Sequence, residues 1–160
     1  MKRSLFLLGL MVLAGVGGSP LLAQDNPFLG TWKLNVAKSK FVPGPGPKSQ
    51  TRTIVAEGAG AKYSFEGVSA DGSPTGYSFS SNYDGKDSAV TGTGMPGGAD
   101  TIALKRINAN KVVATLKKGG KQIGTSEAEV SKDGKVATVK SKGKTPDGKD
   151  YESESVYDKQ

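Results

Sequence analysis

The chain has 160 residues, a formal net charge of +7 at pH 7, and neither cysteine nor histidine. The absence of these two residue types excludes a thiol nucleophile, a histidine base and the usual zinc ligand sets. We therefore predict a protein that is not an enzyme, that needs no metal or cofactor, and that folds without disulfides.

Residues 1–23 have the three-part pattern of a secretory signal peptide. Two basic residues precede an apolar run from Leu5 to Val16, glycines and a proline end the run, and Ala23 suits the position before a cleavage site. The alternative is a membrane anchor, but a spanning helix needs about 20 apolar residues and this run is shorter. We expect an exported protein, periplasmic or extracellular, with no integral membrane span after cleavage. Residues 24–160 should form one domain.

The positive charge consists almost entirely of lysine, spread along the chain. Nucleic-acid-binding proteins usually cluster their basic residues on one face. We therefore predict a solvated basic surface and no nucleic-acid partner. We also expect a monomer.

In chain order, an entry segment carrying Phe28 and Leu29 leads into a first strand at 31–35. Prolines at every second position from Pro43 to Pro47 predict an extended surface loop over 40–48, since proline lacks the donor that a strand ladder needs. Alternating segments then predict further strands, about ten in all, at 51–57, 62–70, 75–83, 87–93, 101–108, 112–119, 122–131, 136–144 and 151–159.

Asp-Gly pairs stand between several of these segments, for example Asp71-Gly72 and Asp133-Gly134. Asp-Gly is a strong hairpin signal because the tight turns need positive φ. Regular short strands joined in this way indicate an all-β sandwich or barrel. Many of the inward positions are Ser, Thr, Ala or Gly, which favours a barrel with a partly wet interior over a tightly packed sandwich. We predict a single antiparallel up-and-down β-barrel of eight to ten strands.

Two short motifs resemble those of the calycin group, which comprises lipocalins and intracellular fatty-acid-binding proteins. The segment from Asn26 to Leu34, with Gly30-Thr31-Trp32, resembles the opening strand of those barrels, and Val156-Tyr157-Asp158-Lys159 resembles the final strand of the fatty-acid-binding branch. The chain looks most like an exported bacterial lipocalin-like protein.

The resemblance implies a ligand-holding barrel in which Trp32 closes one end beneath neighbouring apolar and basic side chains. Two features depart from the fatty-acid-binding branch. A proline-rich segment stands where that branch has two helices as a lid, and Ser155 stands where it has an arginine that grips the ligand carboxylate.

The candidate ligand-binding residues share an inward position on an alternating strand; they are Arg52, Arg106, Tyr157, Tyr77, Phe79 and Phe65. An inward arginine could pair with a carboxylate or phosphate in two-point geometry, and Tyr157 could add a hydroxyl. The alternatives are that one arginine stacks over Trp32, that both arginines face water, or that the aromatic residues are plain core.

These features predict an extracytoplasmic binding protein for a small, partly apolar or amphipathic molecule, with an anionic head group as one option. The alternative is an envelope or secreted interaction module that uses its outer surface and holds no internal ligand.

Overall fold

The structure is a computed structural model that describes residues 26–160. The predicted signal peptide, residues 1–23, lies outside the described residues. Within the described part, no helix is long and apolar enough to cross a lipid bilayer.

The described chain consists of strands joined mostly by tight turns. The strands are β1 (Gly30–Leu34), β2 (Lys40–Val42), β3 (Ser49–Glu57), β4 (Gly60–Val68), β5 (Pro74–Ser81), β6 (Asp84–Ala89), β7 (Thr91–Thr93), β8 (Thr101–Asn108), β9 (Lys111–Lys118), β10 (Lys121–Val130), β11 (Val136–Lys144) and β12 (Asp150–Lys159). Short 3-10 turns lie at Val36–Lys38 and Pro96–Gly98.

All strand pairs are antiparallel, and the order around the sheet is β6-β8-β9-β10-β11-β12-β1-β3-β4-β5-β7. Strand β1 lies between the last strand and β3, because Trp32 is opposite Lys159 on β12 and opposite Arg52 on β3. The result is a nearly closed antiparallel barrel, the architecture that the resemblance to calycins implies.

The predicted count of eight to ten strands is wrong, since the described chain has twelve. One extra strand arises at Lys40–Val42, which was predicted as loop. These residues precede Pro43, the first proline of that segment, so they keep their backbone donors and pair with Glu152–Glu154 of β12.

The other extra strand arises because the predicted strand 87–93 changes partner at Val90. Residues before it pair with β8, residues after it pair with β5, and the Val90 N–H donates to the Asp100 carbonyl at 2.9 Å. This one segment therefore lies against both edges of the sheet and brings them together.

The alternation of each strand directs its larger apolar side chains inward. The buried set includes Trp32, Ile54, Tyr63, Phe65, Tyr77, Phe79, Leu104, Val112, Val130 and Tyr157. Because successive strands are antiparallel, the loops 43–48, 69–73, 94–100 and 145–149 all lie at one end of the barrel. The entry segment and the turn at Asn82-Tyr83 lie at the other end.

Candidate ligand-binding cavity

The barrel encloses a cavity of about 560 Å³. Such a volume lies within the range of about 300–1,000 Å³ that small-molecule sites occupy. Residues from the loop end of the barrel line it, among them Pro43, Ala70, Met95 and Thr145. The cavity mouth is therefore at that end, and the cavity extends from there into the barrel.

One wall of the cavity is aromatic. Alternating positions on the paired strands β4 and β5 place four rings side by side, and we call Tyr63, Phe65, Tyr77 and Phe79 the aromatic wall. The ring centroids of Phe65 and Tyr77 are 4.3 Å apart with an interplanar angle of 14°, and those of Tyr63 and Phe79 are 4.8 Å apart with an angle of 13°. Stacked rings of this kind hold each other's orientation and offer a ligand a rigid apolar surface.

The hydroxyls of the aromatic wall remain neutral phenols at ordinary pH. Burial raises the pKa of Tyr77 well above its usual value, and the Arg52 guanidinium and the Gln50 side chain offset only part of that rise. Burial likewise raises the pKa of Tyr63, whose hydroxyl lies 2.8 Å from that of Tyr83. Neither tyrosine is poised to act as a base.

Of the arginines in the described part of the chain, Arg52 alone lines the cavity. Its guanidinium carbon lies 4.3 Å from the Tyr157 ring centroid and 5.0 Å from that of Phe65, so aromatic faces hold the cation. No carboxylate of residues 26–160 forms an ion pair with it. Its Nε is buried and has no hydrogen-bond partner. Arg52 is therefore a positive charge inside the barrel without an anionic partner in the described chain.

Gln50 lies beside this arginine and was not predicted from the sequence. The Tyr157 hydroxyl donates to its Oε1 at 2.6 Å. A sequence signal existed, because Gln50 stands two residues before Arg52 and so shares its face of the strand. We call Gln50, Arg52 and Tyr157 the polar cluster. It consists of two neighbouring inward residues of β3 and one residue of β12.

Arg106, the other predicted arginine, lies elsewhere. Its guanidinium carbon is 4.1 Å from the Tyr83 ring centroid and 5.7 Å from that of Phe28, and its Nη1 donates to the Ala109 carbonyl at 3.1 Å. It is at the end of the barrel opposite the mouth and does not line the cavity. The structure therefore brings Arg52, Tyr157, Tyr77, Phe79 and Phe65 together around one space and leaves Arg106 outside it.

Trp32 lies at the end opposite the mouth. Its side chain is almost completely buried, and its Nε1–H donates to the Phe28 carbonyl at 2.8 Å. The basic side chain over its ring is a lysine rather than an arginine, with Lys159 Nζ 5.0 Å from the ring centroid.

The proline-rich segment lies at the cavity mouth. Phe41, Val42, Pro43, Pro45 and Pro47 all line the cavity. A Cβ at Gly46 would overlap the Phe41 ring, so this glycine lets the segment lie directly on that side chain. The segment therefore covers part of the opening.

A search of solved structures found the zebrafish ileal bile acid-binding protein complexed with cholic acid. It is 13% identical to this chain, the alignment covers 84% of this chain and 99% of that chain, and the TM-score is 0.49. No protein-family model matches this chain, and no curated protein was found to match it. The candidate site therefore rests on the residues of this chain alone.

Proposed function

We propose that this protein is an exported, non-catalytic carrier that holds a small acidic amphipath inside its barrel. The observation that carries the proposal is the charge of Arg52, which lies inside a largely apolar cavity without an acidic partner in the described chain. The ligand supplies the missing anion, and its apolar part lies against the aromatic wall.

The anionic group of the ligand binds at the polar cluster. A charge that is taken out of water is costly unless it is paired. An anionic ligand therefore gains the most binding free energy where a cation is already partly desolvated. The planar guanidinium can donate two parallel bonds to a carboxylate. The rings of Tyr157 and Phe65 contact the guanidinium without taking up its N–H donors, so these donors can bond the ligand.

The apolar part of the ligand supplies most of the binding free energy. Removing apolar surface from water contributes about 25 cal/mol per Å², and the aromatic wall provides such a surface beside the polar cluster. The expected ligand thus has one acidic end and a hydrocarbon body.

The proposed location outside the cytoplasm rests on the pattern of residues 1–23. A monomer is part of the proposal because each barrel contains a complete cavity of its own. Such a cavity suits a protein that carries a ligand through an aqueous compartment.

Displacement of a bound fluorescent dye tests the proposal. A hydrophobic dye is bound to the purified protein and titrated with laurate and with 1-dodecanol, which share a chain length and differ in the acidic group. We expect both to displace the dye and laurate to bind more tightly. Failure of the dye, of laurate and of acidic lipid extracts to bind would reject the carrier function and leave only a role for the outer surface.

A further inference from the structure

The cavity wall across from the aromatic wall carries hydroxyl groups. Strand register aligns Ser126 on β10 with Ser141 on β11, and Ser141 with Ser153 on β12. All three line the cavity, and the Ser126 and Ser141 hydroxyl oxygens are 2.9 Å apart. We call these three residues the hydroxyl row.

A tyrosine hydroxyl lies next to the hydroxyl row. Tyr151 stands two residues before Ser153 on the same face of β12, and its register partner on β11 is Gly143. Its ring extends across Gly143 toward Gly124, where a Cβ would lie 3.1 Å from the Tyr151 hydroxyl. The two glycines thus leave room for the ring to lie along the wall.

The Tyr151 hydroxyl has no hydrogen-bond partner in the described chain, although it is buried. Burial raises its pKa, so the group stays a neutral donor and acceptor. A buried hydroxyl without a partner is costly, and such a group in a folded protein calls for an explanation such as a bound molecule.

The hydroxyl row and the aromatic wall face each other. Between β4 and β10 the sheet order has β3, β1, β12 and β11 on one side, and β5, the β6–β7 segment, β8 and β9 on the other. Strands with four neighbours between them on either side lie across the barrel from one another. A ligand in the cavity therefore meets rings on one side and hydroxyls on the opposite side.

We propose, on the basis of the carrier function above, that the ligand is an oxygenated lipid acid: its carboxylate binds Arg52, and a hydroxyl or carbonyl along its body binds the hydroxyl row and Tyr151. A plain hydrocarbon chain would cover these hydroxyls without bonding them. An oxygen on the ligand body bonds them and gives Tyr151 a partner. The apolar side of the same ligand rests on the aromatic wall.

Paired ligands separate this proposal from the carrier function. Stearate and 12-hydroxystearate differ by one hydroxyl on the chain, and their affinities are measured by dye displacement with the purified protein. The variants are Ser141→Ala, Tyr151→Phe and the double variant, with Ser80→Ala as the control because Ser80 is an exposed serine on β5. Stearate affinity in each variant reports whether the cavity is intact.

We expect the unaltered protein to bind 12-hydroxystearate roughly five- to tenfold more tightly than stearate, the factor that one net hydrogen bond gives. The double variant should lose this preference while keeping its affinity for stearate, and Ser80→Ala should change neither. Equal binding of the two acids by the unaltered protein would overturn the oxygenated ligand and leave the carrier function standing. A preference that survives in the double variant would overturn the assignment to this wall, and binding of neither acid would overturn both proposals.

Discussion

The hydroxyl of Tyr157 donates a 2.6 Å hydrogen bond to the side-chain oxygen of Gln50. These residues come from the last strand and from β3, which lie on either side of β1. The bond fixes the Tyr157 ring, and that ring carries the Arg52 guanidinium on its face. Among residues 26–160, Arg52 is the one cation that lines the cavity, and its position thus depends on a contact between strands far apart in sequence.

The bond between Tyr157 and Gln50 should appear as a coupling energy. We expect the Tyr157→Phe and Gln50→Leu variants each to lower the free energy of unfolding, and the double variant to lower it by less than the sum. The expected coupling is about 0.5–1.5 kcal/mol, the net value of one such bond. Urea unfolding of the four proteins measures it, and strictly additive effects would show that the bond contributes nothing.

Arg52 should determine the preference for an acid. We expect Arg52→Gln to weaken laurate binding by roughly ten- to a hundredfold, as the loss of hydrogen bonds to a charged group implies. Binding of 1-dodecanol should stay nearly unchanged, because it has no anion to pair. The laurate affinity of Arg52→Lys should lie between those of Arg52→Gln and the unaltered protein, since lysine keeps the charge without the two-point geometry.

Arg106→Gln is the matched control for that experiment. Arg106 carries the same charge but lies outside the cavity lining, over Tyr83 and Phe28. We expect its replacement to leave the ratio of laurate to dodecanol affinity unchanged. If both glutamine variants weakened laurate binding equally, the effect would come from net charge, and Arg52 would have no special role.

Gly46 should control how fast ligands exchange. Because a Cβ there would overlap the Phe41 ring, Gly46→Ala must displace the ring from the mouth. We expect dye association and dissociation to become several-fold faster in stopped-flow measurements, with a smaller change in affinity.

Gly44→Ala offers the control within the same segment. Its Cβ would lie 3.5 Å from the Phe41 carbonyl oxygen, an ordinary contact, and both glycines precede a proline. We expect the rates of this variant to match those of the unaltered protein. Unchanged rates in Gly46→Ala would indicate that ligands do not pass Phe41.

Alkaline pH should destabilise the barrel through Tyr63 and Tyr77. Burial is the main cause that raises the pKa of each phenol, so the folded state holds these protons more tightly than the unfolded state, where tyrosine titrates near pH 10. Their contribution to stability is therefore fully present below about pH 10 and is lost as the pH rises toward the higher pKa values of the folded protein.

The urea midpoint at pH 8 and pH 11 measures this loss. We expect a lower midpoint at pH 11, and a smaller difference in a double variant with Tyr63→Phe and Tyr77→Phe, in which lysine titration remains. The same difference in both proteins would assign the alkaline effect to other groups.

Local patterns were enough to predict much of the barrel. Alternation placed Tyr63, Phe65, Tyr77 and Phe79 on inward faces, and the structure buries all four. Asp71-Gly72, Asp133-Gly134 and Asp147-Gly148 lie at joins between strands, since few other sequences allow the positive φ that Gly72 and Gly134 adopt there. Asp84-Gly85, also predicted as a join, instead begins β6.

The remaining features depend on which strands become neighbours. Residues 87–91 contain neither glycine nor proline, so the sequence does not mark Val90 as the point that separates pairing with β8 from pairing with β5. Arg52 and Arg106 also look equivalent, because each alternates with apolar residues. They differ in position along their strands: Arg106 is near the end of β8 away from the mouth, whereas Arg52 lies within β3 beside Tyr157.

Native mass spectrometry of the protein purified from its own host tests the central claim most directly. The account predicts a protein peak that carries the extra mass of one acidic amphipath, and loss of that peak in the Arg52→Gln variant but not in Arg106→Gln. A bare chain in every preparation, together with no uptake of added laurate, would contradict the claim that this barrel carries a ligand.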